Sequence, residues 1–369
     1  MPGDDRDYRI ALNAVPFIGP VIFHRLVAAF GSAMEVFQTP VARLAEVEGV
    51  SEALAKKISG TDPLKVSARE TQMAEKLGAS INLLGEDGYP KPLENIYSPP
   101  PVLSIAGDWR EEDELAIGVV GTRAPTSYGK MMAEKLAGAL AELGVMVVSG
   151  LARGVDGLAH RGAMNAGGRT AAVLGCGLNI YYPAEHRDIQ KKIPDTGAVI
   201  SQFPFIAGPD KIHFPMRNRV VSGLCLGVLV IEAAEKSGAL ITAYAALDDN
   251  RDVFALPGPV NSPKSEGPNR LIKKGHAKLV QSVEDILEEL PEYVLGKLKA
   301  RQAQLPLETP IPLTPEEQMA LEAMDHTERH IDIIAQSSGL PTPMLSAILL
   351  TLELKGKVKQ MPGKLFMLA

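Results

Sequence analysis

From residue 115 to about residue 290, short apolar runs alternate with stretches of helical periodicity. Six runs, AIGVVG, VMVVSG, TAAVLG, GAVISQF, GVLVIEA and DVFALPG, are apolar at consecutive positions rather than at every second one. A strand buried on both faces has that pattern; a strand with one wet face does not. Between several runs the apolar residues recur at helix spacing, for example over 130–143 and 157–166. Strand–helix alternation predicts an α/β fold, a parallel sheet covered on both faces.

The flanks differ. Residues 8 to about 80 read as small helices, and VPFIGPVIFHRLVAAFGS and LAEVEGVSEALAKKI share an apolar stretch, a glycine turn and a helix. Such units resemble SAM-like or helix-hairpin-helix modules, which offer turn amides to a phosphate. Pro20 after Gly19 removes one amide, which favours a packing and scaffold role. Residues 81–110 form a Pro- and Gly-rich connector ending in a short strand, VLSIAG. Pro99, Pro100 and Pro101 force an extended path there. A second linker spans 291–312. Beyond it, TPEEQMALEAM opens with a Thr N-cap signal and Pro at the first helical position. HIDIIAQSSG and PTPMLSAILLTLELKG read as two further helices, and KVKQMPGKLFML as a hairpin turning at Pro362 and Gly363. Three helices and a hairpin make a winged helix over 313–369.

Candidate chemistry sits in the turns after the strands. GTRAPTSYG, SGLARGVDG, GCGLNIYYP, EAAEKSGALITA and LPGPVNSPKSEGPN are polar and glycine-bearing. In an open parallel sheet they share the carboxyl edge, where ligands bind. Strand, glycine turn and helix at 115–129 present backbone N–H groups to an anion, and Arg123 adds a charge suited to phosphate. A plain βα turn reads the same way. The densest polar cluster is PDKIHFPMRNRVVSGL, where Lys211, Arg217 and Arg219 surround Phe214. Cations track a phosphate backbone, and a ring stacks an unpaired base. The alternative puts Phe214 in the core and pairs the arginines with Asp210, Glu232 or Glu235. Asp156 and His160, four apart, form either an acid–base pair or, as favoured, a helix cap with a packed histidine. His326 and His330 are also four apart, but no Cys or carboxylate completes a metal set. No GxSxG elbow and no Walker lysine motif occurs.

Composition narrows the classes. The chain has 369 residues, 46% hydrophobic and 22% charged, with a formal net charge of −6, so any nucleic-acid contact is a local groove and not a basic face. Cys176 and Cys225, the two cysteines, lie in apolar settings and predict reduced, buried thiols in a cytoplasmic protein. No run of about 18 apolar residues implies a membrane span, and the charged N-terminus is no secretion signal.

The order of motifs resembles the DNA processing protein A family, also called DprA or Smf. GTRAPTSYG, SGLARGVDGLAH, FPMRNRVVSGL, SGALITAYAAL, VFALPGPV and SEGPNRLIKKG occur in the family's order. The resemblance covers the whole architecture: a SAM-like helical domain at 1–80, an extended Rossmann-like domain at 81–290, the linker, then the winged helix. Ala239 departs from a family serine in the G-S-L turn, and Val155 replaces Ile. The resemblance implies a non-enzymatic protein without cofactor or metal. Such a protein binds single-stranded DNA and loads the RecA recombinase onto it during natural transformation, and acts as a homodimer through the Rossmann-like domain. By motif match Arg123 and Lys211 contact phosphate and Phe214 lies against a base. Gly121, Thr122, Gly238 and Asn269 shape the groove, and Arg217 and Asn218 belong to its DNA-binding set.

Two enzyme classes and an adaptor compete. Lysine-decarboxylase-like phosphoribohydrolases hydrolyse nucleotides with a glutamate after a PGGxGTxxE turn; EAAEKSGALITA lacks it. A nicotinamide dehydrogenase needs GxGxxG in the first turn and an acid ending the second strand, which here closes VVSG. A pure protein adaptor would use the sheet as scaffold. The winged helix is not expected to read DNA: its third helix carries no Arg, Asn or Gln for base edges, and the domain is acidic.

Overall fold

The structure, a computed structural model, describes residues 4–292, 294–296, 298, 313–325, 329–355, 357–361 and 363–368. It falls into two compact units, 1–303 and 304–369. His326, Pro362 and most of the predicted linker lie outside the described residues.

The first unit opens with six helices: α1 (Asp5–Asn13), α2 (Pro20–Phe30), α3 (Ala33–Gln38), α4 (Val41–Leu44), α5 (Glu52–Ser59) and α6 (Pro63–Leu77). Their ends follow from sequence. Asp62 accepts the Lys65 amide at 3.1 Å, Pro63 takes the first position of α6, and Gly78 closes it in the left-handed region at φ 61°. A core of Leu12, Phe23, Leu26, Leu44 and Ile58 joins the helices.

The sheet follows: β1 (Ala79–Leu83), β2 (Val102–Gly107), β3 (Ala116–Val120), α7 (Ser127–Glu142), β4 (Met146–Ser149), α8 (Val155–Asn165), β5 (Thr170–Val173), α9 (Arg187–Lys192), β6 (Ala198–Ser201), α10 (His213–Gly223), β7 (Gly227–Val230), α11 (Gly238–Asp248), β8 (Asp252–Ala255), α12 (Glu266–Lys273), β9 (Lys278–Leu279) and α13 (Glu284–Leu287). The nine strands lie in the order β1-β2-β6-β5-β4-β3-β7-β8-β9. From β6 to β9 they are parallel; β1 and β2 are antiparallel additions at one edge. All six predicted strands are present. Ile117, Val119 and Val147 face α7 and α8, while Ala116, Val120 and Val148 face α10 and α11, so both faces are buried.

Two strands were absent from the sequence reading. β1 sits where the connector was expected to begin, because Ser80 and Asn82 alternate with Ile81 and Leu83 on an edge strand with one wet face. β9 is two residues long. At the start of the predicted linker, Val294 and Leu298 are buried in the α7–α8 core. The helical N-terminal region and the sheet form one unit. Asn13 donates to the Gln202 carbonyl at 3.2 Å, His24 Nε2 meets the Pro99 carbonyl at 2.7 Å, and Glu70 accepts the Phe205 amide at 2.9 Å. Pro20 stands at the first position of α2.

The second unit contains α14 (Pro315–Glu322), β10 (Arg329–His330), α15 (Ile331–Ser338), α16 (Thr342–Leu354), β11 (Val358–Met361) and β12 (Leu365–Leu368). Thr314 and Glu317 form a capping box at 3.2 and 2.9 Å. β10, unread in the sequence because it is two residues long, pairs with β12 to give the order β10-β12-β11. His330 Nδ1 accepts the Asp332 amide at 3.3 Å and so caps α15. Among the described residues no single helix is long and apolar enough to cross a membrane.

Arg169, just before β5, closes the sheet's amino edge. Its Nε and Nη2 donate to the two Asp113 oxygens at 2.7 Å each, Nη1 to the Thr196 carbonyl at 2.7 Å, and Nη2 to the Asp108 carbonyl at 2.9 Å. The Asp113 side chain is 1% exposed and that of Arg169 12%. Removing one partner of a buried ion pair leaves the other charge stranded. Arg169→Ala is therefore expected to lower unfolding free energy by about 3–5 kcal/mol in urea titrations. A loss below about 1 kcal/mol would mean that water replaces the guanidinium and the pair holds nothing.

Candidate functional site

The chain order of the parallel strands reverses between β3 and β7. A crevice opens there at their carboxyl ends, where open α/β sheets place ligands. The cleft is about 690 Å³, lined by the turns after β3, β4 and β7 and by the N-terminal ends of α10 and α11. Gly121, Thr122, Arg123, Lys211, Phe214, Arg217, Asn218 and Gly238 all line it. Asn269 does not. Its amide closes the turn at Gly258, accepting from the Gly258 amide at 3.1 Å and donating to its carbonyl at 2.9 Å. The expectation placed it in the groove; its amide instead holds the neighbouring Gly258 turn.

Phe214 is half-buried. Its ring lies on the backbone at Gly175, where a Cβ would fall 2.8 Å from a ring carbon, so only glycine admits the ring. The Tyr182 ring stands 5.8 Å away. The Arg123 guanidinium sits 5.4 Å from the Phe214 ring centre, within cation–π range. Arg123, Lys211 and Lys236 are exposed and make no hydrogen bond or ion pair among the described residues. Lys236 and Tyr182 also line the cleft. Sequence reading passed over both, although Lys236 immediately precedes a capping serine and Tyr182 lies in a quoted turn.

Arg217 departs from the expectation of a solvent-facing contact. It is 4% exposed, and its Nη1 donates to the Gly150 carbonyl and, at 2.6 Å, to the Val173 carbonyl. A Cβ on Gly150 would collide with the guanidinium, so glycine is required there. Asp156 faces the same charge and accepts the backbone amides of Ala152 and Gly150. Burial pushes the Asp156 carboxyl above its ordinary range against the pull of Arg217. Neither arginine of the cluster pairs with Asp210, Glu232 or Glu235. Arg219 turns away to Asp248 at 3.7 Å.

Asp156 and His160 are not an acid–base pair. His160 is fully buried, its Nδ1 lies 2.7 Å from the Thr170 hydroxyl, and burial with nearby His186 and Arg217 pulls its pKa down to about 3. It is a neutral packing residue. Both cysteines are buried and unbridged, and burial pushes the Cys176 thiol up to about 11 and that of Cys225 higher still. Among the described residues no group of three His, Cys, Asp or Glu is placed to hold a metal.

The turn after β3 has a second surprise. Glu232, 4% exposed at the end of β7, already occupies the N-terminus of α7. Its carboxylate accepts the Thr126 amide at 2.9 Å and the Thr126 hydroxyl at 2.5 Å, and its carbonyl accepts the Thr122 amide at 2.7 Å. Thr126 in turn accepts the Gly129 amide at 3.1 Å. The helix end that an external anion was expected to use already has a carboxylate of the protein beside it. The Arg123 side chain is what this turn offers to a ligand. Opposite, Ser237 caps α11 by accepting the Ala239 amide at 3.3 Å, so the serine absent from position 239 is not needed for the cap.

A Rossmann-like sheet with a switch-point cleft, lined by two rings and three exposed cations, defines an α/β protein of the Rossmann-like class. A sequence model described as DNA recombination-mediator protein A matches residues 80–291, and one described as DprA winged helix domain matches 304–364. Protein Smf of Synechocystis sp. is 33% identical over 393 aligned residues, covering 98% of each chain. The solved structure of DNA processing protein A from Streptococcus pneumoniae superposes with a TM-score of 0.66 at 32% identity, covering 79% of this chain and 99% of that one. A structure addressing the single-stranded DNA binding mode of the Helicobacter pylori protein gives 0.52 at 30% identity, over 60% of this chain and 96% of that one. The chain belongs to the DprA/Smf family.

Glu232 is a positioning residue without a place on the cleft wall. Glu232→Ala strands the Thr126 donors, and an unsatisfied buried donor costs about 1–3 kcal/mol. Glu232→Gln keeps the shape and one acceptor and is expected to lose less. Urea unfolding of both variants decides this; equal losses would show that side-chain volume, not hydrogen bonding, fixes the turn.

Proposed function

We propose that the chain binds single-stranded DNA in the switch-point cleft with little sequence preference, and in this way protects incoming DNA and loads the RecA recombinase in natural transformation and recombination. The observation behind the reading is the Phe214 ring beside Arg123, with Lys211 and Lys236 unpaired around it. A ring face stacks an unpaired base, and free cations take the flanking phosphates. The family supports the DNA-processing part. RecA, the homodimer and the cytoplasmic setting rest on resemblance. Arg123, Lys211 and Lys236 act on phosphate, Phe214 on a base, and Gly121, Thr122, Asn218 and Gly238 shape the wall. Arg217 acts from below as a structural cation. A phosphoribohydrolase is the rival. Among the described residues the single carboxylate lining the cleft is Asp156, and it is engaged by loop amides. Release of free base from nucleoside monophosphates would favour the rival.

In fluorescence titrations the chain should bind oligo-dT more tightly than duplex of equal length, with a salt slope of about −0.7 per phosphate contacted. Arg123→Ala and Lys211→Ala should each weaken binding and flatten that slope. Phe214→Ala should weaken it by about 1–3 kcal/mol with the slope nearly unchanged. Equal affinity for duplex and single strand would overturn the reading, and a Phe214→Ala chain unfolded by circular dichroism would return the ring to the core.

The winged-helix unit is read as dispensable for this binding. The exposed positions of α16 are Thr342, Pro343, Met344, Ser346, Ala347, Leu350 and Thr351, none of them a cation. Lys355 at its end is held by both Glu317 oxygens at 2.6 and 2.7 Å. Deleting residues from 314 onward should leave single-strand affinity within about threefold, roughly 0.65 kcal/mol. The shortened chain should still scatter light as a dimer. Larger losses would make the tail a second DNA-binding module, and a monomer mass would remove dimerisation through the sheet.

A further inference from the structure

A second cleft, about 750 Å³ and mostly apolar, lies between the first helical hairpin and helices α10 and α11. Its volume falls in the ~300–1,000 Å³ range of ligand sites. Pro215 and Ile241 line both clefts, so the two meet along one ridge. On its rim stand two exposed aromatics, Phe17 at 69% and Tyr97 at 66%. Each is held outward by unusual backbone: Phe17 itself has φ 77°, and Ser98, next to Tyr97, has φ 56°. Non-glycine residues in that region are strained, and such strain concentrates at ligand sites.

Each rim aromatic has its own cation. Lys57 Nζ lies 4.1 Å from the Phe17 ring centre, and the Arg219 guanidinium 5.7 Å from that of Tyr97. The first cleft uses the same pairing, Phe214 with Arg123. The Arg219 guanidinium is also paired with Asp248, another lining residue, at 3.7 Å.

We infer that this cleft is a second base-binding site, which takes unpaired bases of a strand that leaves the first cleft over the Pro215–Ile241 ridge. Phe17 and Tyr97 provide stacking faces, and Lys57 and Arg219 meet the intervening phosphates, Arg219 exchanging its present partner Asp248 for one. The inference rests on the single-strand reading of the first cleft and extends its footprint onto the helical N-terminal region.

The test uses the full chain and its Phe17→Ala/Tyr97→Ala variant, both positions being exposed enough to change without loss of core. Oligo-dT of about six nucleotides fills one site, and oligo-dT of about twenty spans both. The natural chain should bind the longer strand more tightly. The variant should bind the short strand as before and lose about thirtyfold or more on the long one, the low end of the loss of two stacking contacts. A 2-aminopurine within the long strand should be quenched by the natural chain and less so by the variant. A length gain from extra binding registers alone would survive the double substitution. Equal affinities and equal quenching for both chains would overturn this second site, and if Arg123→Ala still abolished short-strand binding the first would stand. Failure of the natural chain to bind even the short strand would remove both.

Discussion

The carboxyl edge of this sheet is held by a buried guanidinium. Arg217 reaches under the cleft from α10 and donates to carbonyls at the ends of β4 and β5, while Asp156 from α8 balances its charge. Three elements distant in sequence thus converge on one cation. Burial draws the Arg217 pKa below its usual value, with Asp156 opposing the effect. A buried charge of this kind is tolerable only with its hydrogen bonds completed, which makes geometry more than net stability its contribution. Phe214, three residues earlier on the same helix, inherits its position from this anchor. So does the first turn of α10, and with it one wall of the cleft.

Electrostatics then decide what the cleft can hold. The chain carries a formal charge of −6, yet the cleft wall carries three exposed cations that make no hydrogen bond or ion pair among the described residues and one carboxylate held by loop amides. Glu232 explains why a side chain, Arg123, rather than the end of α7 is what the turn after β3 presents. Thr126 caps α7 and the Glu232 carboxylate holds Thr126, so an acid of the protein already lies at that helix end. Flexible lysines and an arginine remain, which suits a ligand whose phosphates arrive at variable spacing.

How much of this could be read in the sequence depends on burial. The strands buried on both faces announced themselves as continuous apolar runs, and all six stand where they were read. β1 did not, because Ser80 and Asn82 face outward from an edge, and β9 and β10 are too short to carry a pattern. The site divides the same way. Spacing brought Arg123, Lys211 and Phe214 together through turns that a parallel sheet must gather at one edge. It had no means of telling an exposed arginine from a buried one within FPMRNR, since Arg217 and Arg219 differ only in the direction their helix gives them. Nor did it separate Asn269, whose motif sits beside the cleft but whose amide serves the Gly258 turn.

The aromatic–cation pair recurs on this surface. Phe214 with Arg123, Tyr97 with Arg219 and Phe17 with Lys57 all lie within about 6 Å, the range in which a ring and a cation attract. Such a pair is suited to a single strand on two counts. The ring needs a base face, which a duplex hides in its stack, and the cation needs a phosphate a short reach away, which a flexible strand can place there. The pairs lie on either side of a ridge of α10 and α11, so α10 presents Phe214 to one cleft and Arg219 to the other. A helix anchored underneath by Arg217 can serve both without moving. That rigidity is the structural reason to expect binding without base preference: the stacking surfaces are fixed, and every base offers a ring face to them.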